Sequence, residues 1–159
     1  MRAIRRSMLA FLFTATLSQQ PSAQTRAPSL SEADRAAIQQ MFVRWERALN
    51  ASDASGIEAL FTADAVTVPG DRAPSIGRNA GIAELRQILA QLKPSGSKIL
   101  DPEIEVTGDW SQVRARFQTT WTALQGGKQE RENSRYIWVL RRQPDRSWKI
   151  ARFVFYPLP

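Results

Sequence analysis

The sequence predicts a single α+β domain with its helices first and its strands last. Three observations carry this. Up to about residue 92 the apolar residues recur every three or four positions, the spacing of helix faces. From Ile99 onward the period changes to two, the spacing of strands. The pair Gly126-Gly127 and the run QPDRS then divide the second half into the strands of an antiparallel meander.

The stretch SLSEADRAAIQQMFVRWERALN opens the domain. Ser29 and Glu32 have capping-box spacing, and Ala37, Ile38, Met41, Phe42, Trp45 and Leu49 form one apolar stripe, which predicts a long helix. Ser52 or Asp53 can cap a second, short helix running through Phe61, with Ile57, Leu60 and Phe61 on its apolar side. AVTVP is then a brief strand ended by Pro69 and Gly70. Gly77 to Gly81 leads into a third helix bearing Ile82, Leu85, Ile88, Leu89 and Leu92, and KPSGSK is read as its stop. Ile104 and Val106 alternate with acids. Val113, Ala115, Phe117, Thr119, Trp121 and Ala123 share one face of the next strand. Glu130 to Arg142 returns, and Ser147 to Tyr156 closes the meander.

The last two strands read as apolar on both faces. Tyr136, Trp138 and Leu140 oppose Ile137 and Val139, while Ala151, Phe153 and Phe155 oppose Trp148, Ile150 and Val154. One face packs on the helices, and a bare second face of that size is uncommon on a monomer. A homodimer through the sheet is therefore expected.

Residues 1–23 follow the plan of a secretory signal: Arg2, Arg5 and Arg6, then an apolar run from Met8 to Leu17, then a polar stretch ending in small residues. The run is too short for a permanent membrane anchor. Cleavage after Ala23 is expected, with residues 24–30 a flexible lead-in and 31–157 one domain. Losing three arginines and no acids leaves 19 bases against 15 acids, so the formal charge of +7 falls to +4. Without a concentrated basic stripe, that charge is no nucleic-acid footprint. The chain has no cysteine and no histidine. This excludes disulfides, a thiolate nucleophile and a lipidated cysteine, and together with the lack of a tight acidic loop it leaves no metal site; no cofactor is expected. A periplasmic or secreted protein is the expectation.

The phrases RALNASDASGIEALFTADAV, IGRNAGIAELRQIL and RQPDRSWKIARFVF, in this order of elements, resemble the nuclear transport factor 2-like superfamily over about residues 31 to 156. The superfamily includes ketosteroid isomerases, SnoaL-like cyclases, scytalone dehydratase and limonene epoxide hydrolase. The resemblance implies a cone: a strongly curved antiparallel sheet, as in cystatin-like folds, wrapped around the long N-terminal helix, with two shorter helices and a pocket at the mouth. Such a fold hosts unrelated activities.

The catalytic sets implied by that resemblance are absent. Where ketosteroid isomerase has its tyrosine this chain has Trp45, and where the base is expected it has Val68 or Pro69. Scytalone dehydratase-like sites use histidine. The Arg-x-Asp pair of the epoxide hydrolases is replaced by Arg131-x-Asn133, and nothing after Asp145 is acidic. The remaining acids have plain readings: Asp64 as a backbone-bonded turn residue, Glu130 and Glu132 as a solvated strand edge. Asn50-Ala51-Ser52 matches a glycosylation sequon at a helix end and is discounted. Trp45, Val68, Tyr136, Trp138 and Arg152 are the expected ligand-binding residues, with Arg152 facing either an anion in the pocket or an internal acid. The leading functional reading is an exported domain that binds a small apolar or carboxylate-bearing ligand, with no proton-transfer group in its hollow. The alternatives are an isomerase, cyclase or hydrolase with an atypical carboxylate, and a structural or partner-binding dimer.

Overall fold

A computed structural model describes residues 31–158. The expected signal segment, the lead-in and Ser29 lie outside these residues. Three helices precede most of the sheet: α1 (Glu32–Asn50), α2 (Ala54–Glu58) and α3 (Arg78–Leu89). The strands are β1 (Phe61–Pro69), β2 (Ser75–Ile76), β3 (Leu92–Thr107), β4 (Trp110–Ala123), β5 (Gln129–Arg142) and β6 (Trp148–Pro157). They form one curved sheet in the order β2-β1-β6-β5-β4-β3. β3 to β6 are the predicted antiparallel meander, and β1 joins it parallel to β6. No helix among the described residues is long and apolar enough to cross a membrane.

The cap of α1 is Ser31, not Ser29: its hydroxyl oxygen accepts the Asp34 amide at 3.0 Å. Glu32 and Asp34 in the first turn and Arg47 in the last suit the helix dipole. The stripe Ile38, Met41, Phe42, Trp45, Ala48 and Leu49 is buried as its spacing predicts. Opposite it, β4 and β5 contribute Val113, Phe117, Tyr136, Trp138 and Leu140. Each fully buried side chain of this size stabilises the fold by roughly 1.5–3 kcal/mol.

Asp53 caps α2, accepting the Gly56 amide at 2.9 Å. The helix ends sooner than expected, and Phe61 opens β1 because the Leu60 carbonyl is already paired with the Ile150 amide of β6. KPSGSK also departs from expectation, forming the start of β3 instead of a loop. Pro94 is tolerated because β3 is an edge strand, and Gly96, with φ +63°, sits where the register slips between Ser95 and Lys98. The slip leaves the Ser97 amide without a ladder partner, the edge position of β3 leaves the Ile99 amide without one, and α1 supplies acceptors for both. Asn50 Oδ1 accepts the Ser97 amide at 2.8 Å, and Glu46 Oε1 accepts the Ile99 amide at 2.7 Å.

Another slip, in β6, moves several side chains. Val139 pairs with Arg152 but Leu140 pairs with Ile150, so Ala151 is an extra residue. Trp148 and Ile150 point into the core with Phe153, while Arg152 and Val154 point out. The outer face of β5 and β6 is therefore not the continuous apolar surface expected. It holds Ile137, Val139 and Val154 between arginines.

Candidate functional site

A cavity of about 140 Å³ lies between the helices and the concave side of the sheet. Its floor is apolar for reasons already visible in the elements. α1 turns Trp45 and Leu49 toward it, α2 adds Ile57, and β1 adds Phe61 and Thr67. α3 presents Ile82, Leu85 and Ile88, three residues apart, and Arg78 and Gly81, four residues before Ile82 and Leu85, fall on the same stripe. Gly81 lets α3 approach β1 closely, since a Cβ there would stand 2.9 Å from Thr67 Oγ1. Trp121, Glu132, Tyr136, Phe153 and Phe155 complete the sheet wall.

Trp45 is the centre of the aromatic packing. Its ring centroid lies 5.3 Å from both Trp138 and Phe153, 6.0 Å from Phe61 and 6.2 Å from Tyr136. Its indole N–H is buried with no partner among the described residues. Tyr136 stacks on Phe117 at 4.3 Å and meets Phe153 edge-on at 4.8 Å. Burial first, and the charge of Glu132 second, push the Tyr136 phenol well above its usual pKa of 10.

Glu132 and Glu84 are acids in a hollow expected to hold no proton-transfer group. The alternation of β5 turns Glu132 to the same face as Ser134, Tyr136 and Trp138, so it lines the cavity, whereas Glu130 is exposed. Its carboxylate accepts the Trp121 indole N–H at 2.7 Å and the Ser134 hydroxyl. Parity puts both Glu130 and Glu132 on this face; only Glu132 lies far enough along β5 to reach the cavity, which strand period alone does not tell. On the α3 side Glu84 accepts Arg72 at 3.2 Å and the Ser75 hydroxyl, and Arg72 also pairs with Asp71.

Of the expected ligand-binding residues, Trp45 and Tyr136 line the cavity. Trp138 does not: it is fully buried behind Trp45. Val68 is paired with Val154 on the outer side, while its neighbour Thr67 faces in. Arg152 is carried outward by the slip at Ala151 and donates to the Ala151 carbonyl at 2.7 Å. Asp64, read from the sequence as a backbone-bonded turn residue, forms a two-bond pair with Arg141 at 2.6 and 3.1 Å, which holds its carboxyl down at about 2. An ionised acid on the exposed side of β1 is no base for this cavity.

The model of the SnoaL-like domain matches residues 31–154. The chain belongs to the SnoaL-like domain family. The nuclear transport factor 2-like fold of that family is shared by solved structures of low identity. A ketosteroid isomerase-like protein from Erwinia carotovora atroseptica superposes with a TM-score of 0.70 at 19% identity, covering 81% of this chain and 99% of that one. A conserved protein from Planctomyces limnophilus gives 0.73 at 22%, with 81% and 99% covered. A nuclear transport factor 2-like protein with a cystatin-like fold from Novosphingobium aromaticivorans gives 0.64 at 22%, with 79% and 82% covered. At these identities the likeness is one of fold. No curated protein matches the chain.

Proposed function

We propose that this SnoaL-like protein is an exported domain that holds a small, mainly apolar and flat ligand in the cavity beside Trp45. The observation that carries the reading is the cavity itself: an aromatic and aliphatic lining with few polar groups, among them the fixed carboxylate of Glu132. Export rests on residues 1–23 of the sequence. A second copy covering Ile137, Val139 and Val154 on the outer sheet face completes the proposal, and a dimer in light scattering at micromolar concentration is its test.

Thermal melts with toluene and indole test the pocket. Ligand at a hundred times its dissociation constant stabilises by about 2.7 kcal/mol. Replacing Leu85 by Trp fills the cavity and should abolish the shift. If neither compound moves the melting temperature of the unmodified protein, the reading fails.

Glu132 favours a second reading, proton-transfer catalysis of the kind the name of the ketosteroid isomerase-like relative suggests. A carboxylate within bonding reach of a bound ligand can take or deliver a proton. Turnover of an enolisable ring ketone that disappears in Glu132→Gln, with binding retained, would support catalysis over simple binding.

A further inference from the structure

We propose that Arg78 is the anion-receiving group of this cavity, and that the ligand is a single-ring aromatic monoanion of the benzoate class; the inference rests on the pocket reading above. Two observations on separate elements carry it. The first is charge left without a full set of partners. Three charged side chains on the α3 side reach the cavity: Arg72, Glu84 and Arg78. Arg72 and Glu84 bond each other, and each has a further partner in Asp71 or Ser75. Arg78 is different. Its Nε is buried with no hydrogen-bond partner among the described residues. Its ion-pair partner Glu58 gives Oε2 to Arg86 at 2.8 Å and leaves Oε1 3.7 Å from that nitrogen, beyond hydrogen-bond distance. A guanidinium carries five N–H donors in a planar fork suited to a carboxylate, and a buried donor left unmade is costly. The Nε faces Glu58, whereas the two Nη groups at the end of the fork make no hydrogen bond among the described residues and are the donors an anion in the cavity meets.

The second observation is size and shape. A cavity of about 140 Å³ is close to the engineered apolar cavity of roughly 150 Å³ that admits one benzene ring. Trp45, Tyr136 and Phe153 offer flat and edge-on ring contacts to such a ligand. Glu132 lies on the sheet wall, on another element from Arg78, and repels an anion placed beside it. The ligand's negative group therefore belongs at α3 and its ring, or a hydroxyl on the ring, toward β5.

Calorimetric titration of the full mature chain with benzoate, benzyl alcohol and benzylamine tests this. These probes share a ring and differ in charge. Benzoate is expected to bind tightest, and Arg78→Gln to weaken it at least tenfold while changing benzyl alcohol less than twofold; Arg78→Lys should recover part of the loss. Because Arg78→Gln also loosens the contact with Glu58, Glu58→Gln serves as the control for that contact and should leave benzoate binding in place. Equal losses for benzoate and benzyl alcohol, or benzylamine binding tighter than benzoate, would overturn the role of Arg78 while leaving the pocket standing. If none of the three binds, the pocket reading falls and this inference with it.

Discussion

The indole N–H of Trp121 on β4 donates to a carboxylate oxygen of Glu132 on β5 at 2.7 Å, fixing the acid against the wall of an otherwise apolar cavity. Its charge is felt by Tyr136, two strand repeats along the same face. Glu132→Gln removes that charge and leaves the burial. The Tyr136 phenol is therefore expected to ionise at lower pH than in the unmodified protein, yet still above 10, as followed by the ring-carbon shift in an NMR titration. An unchanged midpoint would show that the two groups do not communicate.

Trp45 ties α1 to β1, β5 and β6 through four aromatic neighbours. Truncation to alanine removes those contacts and enlarges the cavity. The expected loss is about 3–5 kcal/mol in urea denaturation. A loss below 1 kcal/mol would mean that the helix is not held by this residue.

Asp34 in the first turn of α1 accepts Arg142 from the end of β5 and the Trp148 indole N–H at 3.3 Å. Arg142 also stacks on Trp148, 4.3 Å from the ring. The hydrogen bond from Arg142, followed by that from Ser31, lowers the Asp34 pKa from 3.8 to about 2 against the opposing effect of burial. The folded value lies below the unfolded one, so the unfolded chain binds more protons between them. The stabilisation is fully present above about pH 4 and is lost as pH falls toward 2. Asp34→Asn should cost about 1–3 kcal/mol at pH 7 and flatten the acid limb of the stability curve. Asp64 and Asp145, also lowered, keep part of that limb. An acid limb of unaltered steepness would refute the assignment.

Asn50 accepts the Ser97 amide and donates to its carbonyl at 3.3 Å, replacing the ladder partners that the slip in β3 removes. Asn50→Ala should destabilise by about 1–2 kcal/mol. Hydrogen exchange at Ser97 should quicken before exchange elsewhere in β3. Uniform exchange along the strand would argue that the slip needs no support from α1.

How much was legible before the structure depended on whether a signal was local. The stripe from Ile38 to Leu49 and the alternation from Val113 to Trp121 are periodicities within one element, and each is buried as it reads. The start of β3 was hidden because Pro94 and Gly96 carry a stop signal that an edge strand and a register slip override. Arg152 was placed on the wrong side by the same kind of event. Strict alternation from Ile150 puts it inward, but the extra residue Ala151 turns it out. Arg78 lay in plain view, four residues before Ile82 on the apolar stripe of α3, yet nothing in its spacing reveals that it must share Glu58 with Arg86.

The amino-acid order by itself determined the α+β architecture, the helix that becomes the axis of the sheet, and the lack of histidine and cysteine chemistry, because hydrophobic period and composition are properties of the chain alone. The tertiary structure alone decided which charges meet the cavity. Glu132 enters it beside Trp121, Arg78 reaches it short of partners, and Arg152 and Asp64 are turned away, because slips in register and competition among arginines for a few acids arise only once distant segments are side by side.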